Sequence, residues 1–299
     1  CLSDWSSDVC SSDLGTGDSF KINFRRTLDT YGTVHEEYSN SCKEVYELST
    51  GTFHLMYSGG IDSEYILNTF LSLGIPVKPV IIKLLPHYND HDTKWAFDFC
   101  EAKNLSPIII DIDFDKFVNT GKLFDYGAKY KTSAYYYCPL MHAIGQLSGT
   151  VIVGLGESHL VKNIENNKWY NSWDEYEYSV VNFFHENNIT GTCQFGSWSE
   201  GQFFSYASDP ILTELSLNKI VGKLGSNSSK HHIYNRNAVQ PLQVRPKYHG
   251  YEIIEQSEIF KHPSFTDIKT VNKQNDGVYQ LEYFEFLDIY KSIQVGTDV

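Results

Sequence analysis

The chain has 299 residues, of which 41% are hydrophobic and 20% are charged, and its formal net charge is −13. This is the composition of an ordinary globular protein, and no apolar run is long enough to cross a bilayer. The acidic balance argues against a large surface for a phosphate backbone, so nucleic acid is not expected as a partner and no membrane is implicated.

The first residues need separate treatment. Residues 4–14 read DWSSDVCSSDL, which resembles a reading frame of a widely used sequencing adapter. We therefore leave residues 1–14 out of the fold analysis as an adapter-like artefact. They hold three aspartates and no lysine or arginine, so the net charge without them is −10. The four cysteines that follow form no C-x-x-C pair, which argues against a zinc ribbon and favours free thiols in a reducing cytosol.

Helical and strand patterns alternate over the first half of the chain. Short continuous apolar runs predict buried strands, and apolar residues at helical spacing predict the helices between them. The predicted strands cover residues 20–24, 53–57, 77–85, 107–112 and 151–153, and the predicted helices cover residues 34–45, 65–73, 94–103 and 134–147. This alternation predicts a doubly wound, mostly parallel α/β sheet with right-handed crossovers.

The two halves of the chain differ in pattern. Residues 15–161 are predicted to form the α/β domain. From Lys162 onward the sequence is rich in aromatic residues and has no clear strand, so residues 162–299 are predicted to be a mainly helical C-terminal region. We expect this region to pack on the C-terminal edge of the same sheet.

One loop, between the predicted strand 53–57 and the predicted helix 65–73, carries the chemistry. Its residues are Ser58, Gly59, Gly60, Ile61, Asp62 and Ser63. Adjacent glycines allow positive φ and a close approach to an anion, and the helix N-terminus supplies unpaired N–H groups. The serine hydroxyls can donate hydrogen bonds, and a carboxylate in a phosphate loop makes sense if it holds Mg²⁺. The chain has no G-x-x-x-x-G-K-[ST] motif, which excludes the Walker loop.

The stretch YSGGIDS, residues 57–63, resembles the PP-loop of the N-type ATP pyrophosphatases, the superfamily of asparagine synthetase, GMP synthetase and NAD synthetase. The resemblance is good over residues 50–160 and loose elsewhere. It implies the HUP, or adenine nucleotide alpha hydrolase-like, fold. It also implies that residues 58–63 bind the phosphates of ATP, that Asp62 is a ligand of Mg²⁺, and that ATP is cleaved to AMP and pyrophosphate.

A second segment, which follows the predicted strand 151–153, resembles the Gly-x-Gly-x-Asp-Glu segment of asparagine synthetases. It reads Gly154-Leu155-Gly156-Glu157 and lacks the Asp-Glu pair, because Ser158 and His159 follow. The resemblance implies that Gly154 and Gly156 contact the nucleotide and that Glu157 is a metal ligand. The alternative is a plain turn before the next element.

A third group of residues could supply positive charge to the leaving pyrophosphate, which requires cations. It comprises Arg236, Arg245 and Lys247, in a segment that loosely resembles the Arg-rich C-terminal stretch of asparagine synthetases. We predict that Lys247, which lies near Gly250 in the sequence, and Arg245 are the catalytic cations. The alternative is a pair of solvated surface charges.

Two histidines and two aspartates precede the helix that is predicted from Lys94. They are His87, Asp90, His91 and Asp92. A metal site is one interpretation, but we favour a cap on this helix by Asp90 or Asp92.

Three functions are compatible with these motifs. The leading one is an ATP-dependent amide or C–N ligase, similar to asparagine synthetase without a glutaminase domain. It would adenylate a small-molecule acceptor and use ammonia or an amine, for which a separate amidotransferase is one source. The second is a nucleobase or tRNA modification enzyme of the same superfamily, such as a 7-deazaguanine synthase or a thiolation enzyme. The third is a nucleotide-binding module without turnover, against which the retained Asp62 argues.

Overall fold

A five-stranded parallel sheet lies at the centre of the computed structural model, which describes residues 31–155, 159–162, 169–173, 178–210, 226–246, 248–271 and 279–282. In chain order the strands are β1 (Phe53–Met56), β2 (Lys78–Leu85), β3 (Ile108–Asp113), β4 (Thr150–Val153), β5 (His159–Lys162), β6 (Trp169–Trp173), β7 (Thr190–Thr192) and β8 (Tyr279–Glu282). The sheet has the order β3-β2-β1-β4-β7, and every pairing in it is parallel. Strands β5, β6 and β8 form a second, antiparallel sheet.

Helices lie between the strands of the parallel sheet, before its first strand and after its last. In chain order they are α1 (Val34–Glu47), α2 (Ile61–Ser72), α3 (Asp90–Ala102), α4 (Phe114–Asn119), α5 (Lys122–Tyr130), α6 (Tyr137–Ile144), α7 (Tyr178–Glu186), α8 (Glu200–Ala207), α9 (Ser226–Asn237), α10 (Glu252–Gln256) and α11 (Pro263–Asp267). Because each connection between neighbouring parallel strands passes through helices, the predicted doubly wound α/β fold is confirmed.

Two hydrophobic clusters cover the two faces of the parallel sheet. Leu55 of β1 belongs to the first cluster, with residues of α1, α2, α3, α8 and α9, and Met56 belongs to the second, with residues of α4 to α7. This alternation is what a strand that is buried on both faces requires. In the first cluster Tyr65 of α2 stacks on Tyr234 of α9 with ring centroids 4.4 Å apart, so the late helix packs directly on the early one.

The structure corrects the sequence analysis at several elements. The expectation of no clear strand after Lys162 is wrong, since β6, β7 and β8 lie there and β7 completes the parallel sheet. The helix predicted over 134–147 is shorter, and α4 and α5 were not predicted. Residues 1–14 and the strand predicted over 20–24 lie outside the described residues, and the domain division at residue 162 stays a prediction.

Leu55→Ala tests the importance of the core around β1. Leu55 is fully buried on a central strand, and removing a buried leucine side chain leaves a cavity, so the free energy of unfolding should fall by about 2–5 kcal/mol. Urea unfolding measures this change. Ile109→Ala on the edge strand β3 is the control, because Ile109 is 50% exposed and should lose much less. Equal losses in the two variants would contradict the packing described here.

Candidate nucleotide-binding site

The site lies where the direction of strand order reverses. From β1 the chain runs outward through β2 to β3, whereas β4 pairs with the other side of β1 and leads to β7. Met56 and Val153, the last residues of β1 and β4, are register partners, so the loops that follow them begin side by side. Such a switch point at the carboxyl edge is where open α/β sheets bind ligands.

Hydrogen bonds between its own residues hold the loop after β1 in shape. The Ser58 hydroxyl accepts from the backbone N–H of Gly60 at 3.1 Å and lies 3.2 Å from the Ser63 hydroxyl. Ser63 in turn donates to the carbonyl of Gly60 at 3.0 Å. Helix α2 begins at Ile61, with Gly60 as an N-cap that has no side-chain hydrogen bond, so its first N–H groups face the loop without a competing cap.

Gly59 is required by both its conformation and its surroundings. Its φ is +73°, in the left-handed region that favours glycine. A Cβ built on it would lie 2.8 Å from the backbone nitrogen of Ala96 in α3. The loop therefore packs against the backbone of α3, and this contact sets its distance from the next strand–helix unit.

Gly60 is surrounded by hydrogen-bonding groups. The point that its Cβ would occupy lies 3.0 Å from Oγ of Ser58, 3.2 Å from Nη2 of Arg245 and 4.0 Å from Oγ of Ser63. We call this arrangement of Ser58, Gly60, Ser63 and Arg245 the cradle. Two hydroxyls and a guanidinium that converge on a glycine at a helix N-terminus form an environment suited to an oxyanion such as phosphate.

Lys230 brings a second cation to the cradle. Its Nζ lies 3.2 Å from Oδ2 of Asp62, and the lysine side chain is 6% exposed while that of Asp62 is 26% exposed. Lys230 lies on α9, and Ile233 and Tyr234 of the same helix are buried in the first hydrophobic cluster. The ion pair with Asp62 offsets part of the cost of placing a charged lysine side chain in such a buried position.

Arg245 is held by a carboxylate of α3. Nη1 of Arg245 donates to Oδ1 of Asp92 at 2.9 Å, and both side chains are close to nine-tenths buried. Burial raises the pKa of Asp92, and the adjacent guanidinium opposes this rise by favouring the carboxylate. The pair is a buried, hydrogen-bonded charge pair, whose orientation is far better defined than that of an exposed one.

The chain next to Arg245 is fixed to the helix that follows the cradle. The backbone N–H of Gln243 donates to Oε1 of Glu64 in α2 at 2.8 Å. Glu64 is 1% exposed, and burial raises its pKa, against the opposing effects of the Gln243 hydrogen bond and the charge of Arg245. We call residues 242–246 and 248–251 the strap, because Gln243 contacts Glu64 of α2 and Arg245 contacts Asp92 of α3.

A cavity of about 270 Å³ extends from the cradle between the sheet edge and the strap. Its polar groups away from the cradle are engaged internally: Asn89 bonds the backbone of β2 at both amide atoms, and the Tyr251 hydroxyl donates to the carbonyl of Tyr136 at 3.1 Å. Apolar side chains of Met56, Val80, Ile82, Leu84, Leu140 and Leu155 make up most of the remaining wall, and Thr93 and His249 also line it. The cavity thus has a charged end and an apolar end.

Two histidines share one carboxylate at the outer side of the strap. His91 and Glu252 are 2.9 Å apart, and His249, which lines the cavity, lies 3.7 Å from the same carboxylate. Burial favours a higher pKa for Glu252, but hydrogen bonds from the His249 backbone and the His91 ring outweigh it and hold the pKa at about 2. The His91 ring and the His249 backbone are thus hydrogen-bonded to Glu252. Among the residues that the structure describes, no cluster of three or more His, Cys, Asp or Glu side chains could hold a metal ion.

Most of the predicted site residues lie together. Ser58, Gly60 and Ser63 belong to the cradle, Asp62 and Gly154 line the cavity, and Arg245 reaches Gly60, while Gly59 packs against α3. Ile61 packs at the edge of the first hydrophobic cluster as the first residue of α2. The predicted roles of Gly156, Glu157 and Lys247 concern positions outside the described residues. Arg236 pairs with Asp209 at 3.5 Å and does not line the cavity.

The sequence analysis missed two residues of the site. Asp92 was considered as a helix cap or, less favoured, as part of a metal site, but α3 begins at Asp90 with Asn89 in the cap position, and Asp92 binds Arg245 instead. Lys230 was not considered. It shares helical spacing with the buried residues Ile233 and Tyr234, so a lysine on an apolar stripe was the signal that could have found it.

The described residues fit the phosphates of ATP better than they fit a metal ion alone. The cradle offers hydroxyls, helix N–H groups and two nearby cations to a polyanion. Asp62 is the carboxylate at its edge that could bind Mg²⁺, while Asp92 is engaged by Arg245. Since Mg²⁺ usually takes one or two protein carboxylates together with phosphate oxygens and water, Asp62 fits the ion as part of a Mg²⁺–ATP complex.

Comparison with known proteins adds little about activity. No family model matches the sequence, and no curated protein is significantly similar to it. Among solved structures, the chain is similar to a protein described as a predicted subunit of tRNA methyltransferase from Methanocaldococcus jannaschii. The two are 15% identical over 67% of this chain and 95% of the other, with a TM-score of 0.32, which is too low to bear on function. Among the described residues, no helix is long and apolar enough to span a membrane.

Gly59→Ala tests the shape of the loop. The new Cβ would meet the backbone of α3 at a φ that alanine rarely adopts, so the loop must shift and binding of ATP should weaken at least tenfold. Isothermal titration calorimetry with ATP and Mg²⁺ measures the change. Gly74→Ala is the matched control: its φ is +67°, but nothing lies within 4 Å of its Cβ position. An equal loss in the control would mean that backbone strain alone, and not the loop, weakens binding.

Proposed function

We propose that this protein binds ATP at the cradle and transfers its adenylyl group to an acceptor with release of pyrophosphate. Ammonia or an amine then displaces AMP from the adenylylated acceptor. The observation that carries the proposal is the convergence of Ser58, Ser63 and Arg245 on Gly60 at the switch point of the sheet. The resemblance of residues 57–63 to the PP-loop supports the same activity. The geometry adds to the motif the guanidinium of Arg245, which lies outside residues 57–63.

The chemistry follows from which phosphates the cradle can hold. A polyanion is best accommodated with its terminal β- and γ-phosphates at the two serines, the helix N-terminus and the cations, since these groups all lie at one end of the cavity. The α-phosphorus would then face the remainder of the cavity, where an acceptor can attack it. Cleavage between the α- and β-phosphates leaves pyrophosphate in the cradle, and Arg245 and Lys230 neutralise the charge that it gains.

Mg²⁺, when bound with ATP, spreads the charge of the phosphates and aligns them. Asp62 would hold the ion through its carboxylate. Lys230 limits how far this carboxylate can turn, because the two side chains form an ion pair at 3.2 Å. The roles of Gly154, Gly156 and Glu157 near the nucleotide, and of Lys247 as a further cation, remain part of the proposal.

The apolar end of the cavity indicates which class of acceptor it can bind. A free amino acid such as aspartate carries charges that need partners, whereas the wall formed by Leu140, Leu155 and Tyr251 is uncharged. Asn89 is engaged with the backbone of β2, and Arg245 and Lys230 are at the cradle end. An uncharged heterocycle with an amide-like carbonyl matches such a wall better. This observation favours a nucleobase modification enzyme over an amide ligase that resembles asparagine synthetase.

Product analysis with Asp62→Asn tests the activity itself. The wild-type enzyme should release AMP and pyrophosphate in the presence of an acceptor and ammonia, and Asp62→Asn should lose the Mg²⁺-dependent turnover. Chromatography of the nucleotide products measures both. Because Asp62→Asn also removes the partner of the buried Lys230, thermal unfolding must show that the variant is still folded. The acceptors to be tested include free nucleobases and aspartate, each in the presence of ammonia. ADP and phosphate as products, or full activity in Asp62→Asn, would refute the proposal. If aspartate is the only acceptor in the panel that is converted, the amide ligase becomes the better-supported function.

Lys230→Met tests the second cation. The substitution keeps a long side chain but removes the charge, so release of pyrophosphate should slow by about two orders of magnitude or more. A continuous pyrophosphate assay measures the rate, and thermal unfolding reports any loss of stability. Lys43→Met, at an exposed position on α1, is the control and should leave the rate unchanged. A rate in Lys230→Met equal to that of the wild type would remove Lys230 from the site.

A further inference from the structure

The two terminal nitrogens of Arg245 face different groups. Nη1 donates to Oδ1 of Asp92, and Nη2 lies 3.2 Å from the Cβ position of Gly60, on the cradle side. A guanidinium is planar and rigid, so fixing one of its nitrogens fixes the direction of the other. The carboxylate of Asp92 therefore determines where Nη2 points.

Asp92 is itself held on both sides. It lies in the first turn of α3 and is buried, and its Oδ1 is engaged by Arg245. Its Oδ2 is 3.1 Å from the position that a Cβ of Gly250 would occupy, and Gly250 has a φ of +81°. The strap thus passes so close to the carboxylate that only glycine fits there, which leaves the carboxylate little room to rotate.

We propose that Asp92 is a positioning residue that holds the Arg245 guanidinium so that Nη2 is presented to a phosphate of the nucleotide in the cradle. This inference rests on the proposed function, and it deepens it by assigning a role to a residue outside the loop motif. Without Asp92 the guanidinium would have a second carboxylate within reach of its charge, the buried Glu64, on the α2 side of the strap.

The direction in which anion affinity changes when Asp92 is neutralised shows whether Asp92 acts by positioning Arg245 or by its own charge. A carboxylate beside the cradle lowers the local positive potential, so if Asp92 acted through its charge alone, neutralising it would strengthen binding of an anion. If Asp92 acts by orienting Arg245, the same substitution weakens binding, because an amide oxygen holds the guanidinium much less strongly than a carboxylate does and the preorganised direction of Nη2 is loosened. Asp92→Asn keeps the size of the side chain and removes the charge, so it distinguishes the two cases.

The experiment measures the affinity of inorganic pyrophosphate, and separately of ATP with Mg²⁺, by isothermal titration calorimetry. The proteins are the wild type, Asp92→Asn, Arg245→Ala and the double variant, with thermal unfolding as a check on the fold. We expect each single variant to bind pyrophosphate at least tenfold more weakly. The double variant should bind no more weakly than Arg245→Ala alone, because Asp92 acts only through Arg245.

Arg245→Lys provides an independent test if Asp92→Asn does not fold. A lysine has one ammonium group and cannot bind Asp92 and face the cradle in the same planar geometry, so pyrophosphate affinity should fall at least tenfold although the charge is kept. Arg236→Lys is the matched control, since Arg236 also pairs with an aspartate but lies away from the cavity.

The outcomes separate this inference from the proposed function. Equal or tighter binding by Asp92→Asn, additive losses in the double variant, or wild-type affinity in Arg245→Lys would each overturn the positioning role. If Arg245→Ala binds ATP and pyrophosphate more weakly than the wild type but Asp92→Asn binds them as the wild type does, the positioning role alone is overturned and the proposed function stands. Failure of the wild type to bind either ligand would overturn both.

Discussion

The parallel pairing of β1 between β2 and β4 is the constraint on which the rest of the site depends. It buries β1 on both faces and leaves its carboxyl end next to that of β4, so the chain must turn sharply at residues 58–60 before α2 can begin. The turn lies against the backbone of α3 at Ala96, and this contact excludes any residue but glycine at position 59. The shape of the cradle is therefore a consequence of how the sheet and its helices pack.

Burial and charge act together around this turn. Two carboxylates, on Asp62 and Asp92, are each matched by one cation, on Lys230 and Arg245. Each pair crosses from the first half of the chain to the second, so the charges are satisfied only when the strap and α9 are in place. Breaking one of these pairs would leave a partly or fully buried charge without compensation, which is far less favourable than leaving both charges out.

What the sequence allowed us to predict depends on how local the signal is. The loop at residues 58–63 was predicted because all of its residues are contiguous and lie between a clear strand and a clear helix. The strand β7 was missed because its three residues, TGT, carry no apolar pattern and it forms only by pairing with β4. Asp92 and Lys230 were missed for the same reason, since their roles come from partners 153 and 168 residues away.

The strap also has a consequence for the order in which the site can form. The sheet pairs of β1, β2, β3 and β4 all join residues before 154, whereas both cations come from residues after 226. The hydroxyls and glycines of the loop can thus be arranged during folding before any positive charge reaches them. Docking of the late segment would then be the event that brings positive charge to a loop that carries the Asp62 carboxylate, and so makes it an anion site. A polyanion that binds there would favour the docked state over a detached one by mass action.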